Sequence, residues 1–320
     1  MLRFLAFLAA LGALSPAIAQ DRELAQSHAA LQARDQYLLD VGWKLATGNA
    51  AYCANVAPAI GMVMQDVEGY GPNADRIRRL LGLEGTIAVQ AVAAESPAAL
   101  AGLSPNRELL QLDDRDLHTD THMREEAWQR LTELHDAVEL SLADDGAIRL
   151  AWRGADGARL DKTLSGVPAC ASRFEVWDHG TRASAEGTRV IFGRDFPGFD
   201  YPEDEFAAAV AHELAHNLLG HRAWLAEHGR KRTNIRLTER EADRLMPWLL
   251  ANAGYDPAAA TRFMGRWGPR HGGGLLRKRT HDGWDERIDF IDAEYAIIEQ
   301  LWDDEGTADW ATHFRREVEP

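Results

Sequence analysis

The chain carries only two cysteines in 320 residues, Cys53 and Cys170. That excludes a disulfide-rich scaffold and any cluster of thiolate metal ligands. Basic residues are scarce as well: 35 Lys and Arg stand against 50 Asp and Glu, a formal charge of −15. Neither a nucleic acid nor an anionic membrane surface is expected as a partner, and the acidity favours solubility. Beyond the first residues no apolar run is long enough to span a bilayer. Internal repeats and long low-complexity tracts are missing, and nothing specifies an oligomer. What is present is an ordinary globular balance, 46% hydrophobic and 27% charged, with a length that suits two domains.

Residues 1–19 read as a secretory signal. Arg3 supplies the positive end, Phe4 to Leu14 the apolar run, and Ala17-Ile18-Ala19 the small-x-small cleavage site. The mature chain would begin at Gln20, be exported, and hold no transmembrane segment. In such a chain the two cysteines predict a disulfide, Cys53–Cys170, across 117 residues. On the chain-entropy model it stabilises by about 4–5 kcal/mol.

The densest chemistry lies in Val210-Ala211-His212-Glu213-Leu214-Ala215-His216-Asn217-Leu218-Leu219-Gly220-His221. Asp200-Tyr201-Pro202-Glu203 reads as a helix start, with Asp200 as the cap, and Phe206, Val210, Leu214 and Leu218 as the buried side. On that helix His212 and His216 share a face one turn apart, so both imidazoles can serve one Zn²⁺. Glu213 is placed as general base for a water at that ion. A third histidine six residues after the second is absent, since that position is Arg222. The third ligand is expected in Thr238-Glu239-Arg240-Glu241-Ala242-Asp243. There Glu239 and Asp243 share a helix face, Glu239 to ligate and Asp243 to orient a ligating imidazole, while Glu241 points elsewhere, toward solvent. Thr188 to Gly193 is expected as an edge strand beside the catalytic helix. Arg266 to Gly283, with five glycines and a proline, is expected as a mobile loop before a closing helix over Asp285 to Trp302.

Ahead of this, Asp21 to Leu45 reads as a helix. Thr86 to Val92, Leu109 to Leu112, Val138 to Leu142, Ile148 to Trp152 and Leu160 to Leu164 read as strands, with a helix over Glu125 to His135.

Two resemblances follow. His212-Glu213-Leu214-Ala215-His216, then Glu239-Arg240-Glu241-Ala242-Asp243, then Gly254-Tyr255-Asp256-Pro257 resemble the M48 family of zinc metallopeptidases, over residues 171–300. The resemblance implies one Zn²⁺ per chain on His212, His216 and Glu239. It also implies that His281, in Thr280-His281-Asp282, donates to the developing oxyanion and that Arg287 braces the carboxylate side of the site. Asp282 stands where the family has Pro. A thermolysin-like peptidase shares the histidine and glutamate logic but fits the Thr280-His281 segment less well. Residues 78–168 resemble a PDZ domain of the bacterial protease type through Val89 to Leu103, with its Ser96-Pro97-Ala98 and Ala101-Gly102-Leu103, and through Leu109 to Leu117. Asn106-Arg107-Glu108 replaces the usual Gly-Asp, and Leu81 to Gly85 is the candidate carboxylate-binding loop. This implies polypeptide partners captured by strand addition.

The resulting expectation is an α+β chain: signal 1–19, N-terminal helical segment 20–77, β-rich PDZ-like domain 78–168, and mainly helical zincin-like metallopeptidase domain 169–320 with a small edge sheet. Its function would be a periplasmic zinc endopeptidase in envelope protein quality control. The alternative is a binding or chaperone-like module whose zinc site is structural or gated, with His221 or His281 as fourth protein ligand.

Overall fold

The computed structural model describes residues 16–118, 126–271 and 282–318. It opens on a long helix, α1 (Pro16–Gly48), in which Leu38, Val41 and Leu45 are buried. Then come β1 (Val56–Ala59), β2 (Met62–Asp66), α2 (Ala74–Leu81), β3 (Ile87–Val92), α3 (Pro97–Ala101), β4 (Leu109–Leu112), β5 (Arg115–Asp116), α4 (Ala127–Asp145), β6 (Ala147–Arg153), β7 (Arg159–Ser165) and β8 (Val167–Cys170). The remainder is β9 (Arg173–Trp177), β10 (Ala183–Ala185), β11 (Arg189–Gly193), α5 (Glu203–Leu218), α6 (His221–His228), α7 (Arg232–Asn252), α8 (Ala259–His271), α9 (Trp284–Glu305) and α10 (Trp310–His313). Mixed helix and small sheets match the α+β expectation. The candidate cleavage residues Ala17 to Ala19 lie in the first turn of α1, and residues 1–15 fall outside the described part.

Two apolar cores form. One joins α1 to α5, α7, α8, α9 and the sheet β10-β11-β9, with Phe192, Phe206, Leu214 and Trp248 at its centre. The other is built by the sheet β5-β4-β6-β7, the pair β2-β3 and α4, around Leu109, Leu134, Ile148 and Trp152. Ile60 and Met64 belong to this second core, and β2 is the antiparallel partner of β3. The unit therefore begins near residue 60, earlier than the residue-78 boundary expected from sequence. Its two ends are held together: β1 pairs antiparallel with β8, Val56 opposite Cys170 and Ala59 opposite Val167. At the base of that neck Cys53 and Cys170 form the expected disulfide, Cα atoms 5.6 Å apart.

Several local expectations are corrected. Val138 to Leu142 is not a strand but the last part of α4, which ends on Gly146 in the left-handed conformation. Five alternating residues fit either period, and the longer series Leu134, Val138, Leu142 decides for the helix. α5 starts at Glu203 with Pro202 as its cap position, while Asp200 closes a preceding 3-10 turn. Glu203, Asp204 and Glu205 then fill the first turn, where the helix dipole favours anions. β11 is the central strand of its sheet and β10 is the edge, so the edge beside α5 comes from Ala183–Ala185. The expected loop from Arg266 is helical to His271, and residues 272–281 lie outside the described part.

No helix among the described residues is long and apolar enough to cross a membrane.

Candidate metal centre

α5 is Ala-rich where it is most crowded: Ala207, Ala208 and Ala211 are fully buried against the core. That close packing sets the helix firmly and leaves His212 and His216 on a face bordering a cleft of 1310 Å³. Their Nε2 atoms lie 3.3 Å apart. From α7, Glu239 brings Oε2 to 3.4 Å from His212 Nε2 and Oε1 to 3.6 Å from His216 Nε2. These three side chains are the one group among the described residues arranged to hold a metal ion. A tetrahedral ion with bonds of about 2.0–2.1 Å needs donor atoms about 3.3–3.4 Å apart, so the set fits Zn²⁺ in both chemistry and spacing. All three side chains line the cleft, and so does Glu213.

Each ring is backed by its own relay. Behind His212, Asp243 Oδ1 lies 3.1 Å from Nδ1, off the line of a good hydrogen bond. Asp243 is buried and gripped by the Arg287 fork, Nε to Oδ2 at 2.5 Å and Nη2 to Oδ1 at 2.6 Å. Burial alone would raise the Asp243 carboxyl; Arg287 and His212 outweigh it and hold the carboxyl below its usual range. Arg287 thus lines the cleft with its guanidinium committed to Asp243, and acts on His212 through that carboxylate.

Behind His216 stands a second relay that the sequence reading missed. His216 Nδ1 is 2.8 Å from His221 Nδ1, and His221 Nε2 is 2.9 Å from Glu241 Oε2. A carboxylate only accepts, so a neutral His221 carries its proton on Nε2 and accepts at Nδ1. His216 then donates from Nδ1 and keeps its Nε2 lone pair for the metal. Glu241 is 0% exposed, which overturns its expected solvent-facing role. His221, with both nitrogens engaged, is not placed as a fourth metal ligand. The signal that could have revealed it was the five-residue spacing from His216. Gly220, in the left-handed conformation, breaks the helix between them, so single-helix facing rules did not apply.

Burial opposes charge on both rings. On His212 the Asp243 and Glu239 carboxylates win and raise the imidazole pKa; on His216 burial prevails, helped by the neighbouring rings, and lowers it. The positive charge that His212 attracts sits where a metal cation would replace it. His281 and Thr280 lie outside the described residues. Asp282 accepts from Arg240 Nε at 2.9 Å.

The cleft runs past β10 on one side and between α6 and α8 on the other, with Phe263 and Trp267 in its lining. Four exposed arginines border it, Arg182, Arg222, Arg230 and Arg270.

The Leu81 to Gly85 loop is filled from within. The backbone N–H groups of Glu84 and Gly85 donate to the Glu108 carboxylate at 3.1 and 2.7 Å, and Arg153 Nε adds a third bond at 3.1 Å. The free edge of β2 is likewise covered by α4: Met64 N donates to His135 Nε2 at 3.1 Å, and Arg130 pairs with Asp66.

No protein-family model matches the chain, and a search of curated proteins returned no match.

Proposed function

We propose that the protein is an exported, zinc-dependent endopeptidase acting on extended polypeptide segments. The observation that carries this reading is the convergence of His212, His216 and Glu239 at zinc spacing, with Glu213 lining the same open cleft. A zinc ion held there would supply a Lewis acid for the scissile carbonyl and lower the pKa of water at the site. Glu213 takes a proton from the attacking water and returns it to the leaving amine. Asp243, fixed by Arg287, and His221, fixed by Glu241, keep the two histidines turned with Nε2 inward. The edge strand β10 offers backbone partners that align an extended substrate across the cleft.

The M48 resemblance and the order of His212-Glu213, His216, Glu239 and Asp243 support the same assignment. Export is supported by the signal-like residues 1–19 and by the Cys53–Cys170 disulfide, which suits an oxidising compartment. Residues 60–166 would help position substrate. Their Leu81–Gly85 loop is occupied by Glu108 and the β2 edge by α4, so in this conformation C-terminal capture at either place is closed. The test is cleavage of an unfolded protein by the wild type and by Glu213→Gln, with zinc measured on both. The reading expects a drop of at least about 10²-fold with zinc retained, the lower range for general-base loss. Equal cleavage by the two would remove Glu213 as the base.

A further inference from the structure

We propose that Arg316 to Val318 form a clasp that positions the metal ligand His216 through Glu241 and His221. This rests on the zinc-site reading above and adds a positioning element to it. Glu241 sits on α7 two residues beyond Glu239 and is completely buried. A buried carboxylate must be fully satisfied, and this one collects four donors. His221 supplies one; the other three come from the terminal segment: Arg316 Nε, 3.0 Å from both oxygens, Glu317 N, and Val318 N at 3.0 Å.

The same segment reaches both ligand-bearing helices. Arg316 Nη2 donates to Leu219 O at 3.1 Å, at the carboxyl end of α5. The Glu317 side chain accepts from Arg240 and Arg244 of α7 at 3.0 and 3.1 Å. Val318 is buried. The segment thus ties the end of α5 to the middle of α7, the two helices whose separation sets the distance from His212 and His216 to Glu239. Glu241 accepts from these N–H groups and from His221 Nε2, which leaves His221 Nδ1 as the acceptor for His216. Without the clasp His221 loses its fixed acceptor, and His216 loses the partner that keeps its Nε2 lone pair turned inward.

The experiment compares the full chain with Arg316→Ala, with a chain lacking residues 316–320, and with Glu317→Ala, which keeps the backbone donors and Arg316. Zinc affinity is measured by chelator competition, ligand geometry by the absorption spectrum of the cobalt(II)-loaded protein, and stability by thermal unfolding of the metal-free forms. The clasp predicts that Arg316→Ala and the truncation lose about 10–100-fold in zinc affinity and change the cobalt spectrum. Glu317→Ala, which removes only the ion pairs to Arg240 and Arg244 and keeps every donor to Glu241, should lose clearly less zinc affinity than Arg316→Ala. Folded Arg316→Ala protein with wild-type affinity and spectrum would overturn the proposal. So would an affinity loss in Glu317→Ala equal to that in Arg316→Ala, because that pattern reports general loosening. If the truncated chain fails to fold, the point variant decides. A wild type that binds neither zinc nor cobalt would instead sink the zinc-site reading itself, and the clasp with it.

Discussion

At the scale of single residues, the strongest constraints sit behind the candidate metal ligands. Asp243 and Arg287 are a buried, bidentate pair, and removing one partner leaves the other charge uncompensated. Asp243→Asn should therefore cost about 3–5 kcal/mol of stability and about 10–100-fold in zinc affinity. Denaturant titration and chelator competition check the two numbers separately. A second residue-scale prediction concerns Asp35 on α1. It accepts from Gln90 Nε2 at 2.7 Å and from Val176 N at 2.8 Å, joining the two cores, and burial pushes its carboxyl up to about 7. The folded state then binds a proton that the unfolded state releases near pH 4. Stability falls as pH rises from about 4 to about 7, by up to about 1.4 kcal/mol per pH unit, and this contribution is flat above that. Asp35→Asn should remove the slope and raise stability at pH 8, because an uncharged amide avoids the cost of burying an ionised carboxylate. Unfolding free energies at pH 5 and pH 8 for both proteins decide it; parallel profiles would refute it.

Elements separate what was legible in sequence from what was not. The histidine pair on α5 and Glu239 with Asp243 on α7 were readable because spacing within one helix determines facing. The disulfide was readable from composition and context. Glu241 was misread for a physical reason: facing away from the metal is not the same as facing water. The surface covering it comes from Arg316 to Val318, some 75 residues later, and no local pattern announces that contact. β1, β2 and α2 went unread, and the neck between β1 and β8 was invisible because it pairs residues over a hundred positions apart. The neck yields its own prediction. Ala59 and Val167 are opposite in register, so a short turn can join them once residues 60–166 are removed. That deletion should stay folded and keep one zinc. Deleting 78–168 instead strips β2 of β3 and takes Val167 and Pro168 from β8; it should unfold. Thermal melts and zinc content of the two deletion proteins make the comparison. Loss of both would show that the β-rich unit is integral to the metal-bearing core.

For the whole molecule, charge and cleft pull in opposite directions. The chain is strongly acidic, yet the cleft is bordered by Arg182, Arg222, Arg230 and Arg270, none in an ion pair among the described residues. For the polypeptide substrate proposed above, such a local field should favour acidic stretches against the repulsion of the rest of the surface. A peptide with Asp or Glu flanking the cut should show a KM several-fold below that of its Asn/Gln counterpart at low salt. The difference should shrink at 1 M salt, where the screening length falls to about 3 Å, and Arg222→Ala should reduce it while leaving the neutral peptide unchanged. The most direct measurement of the metal centre is zinc stoichiometry with X-ray absorption on the zinc-loaded full chain. The account predicts one tightly held zinc with two imidazole nitrogens at about 2.0–2.1 Å, a carboxylate oxygen, and one further light ligand, and a His216→Ala variant that loses it. Substoichiometric metal after saturation, or a shell of three imidazoles, would contradict it.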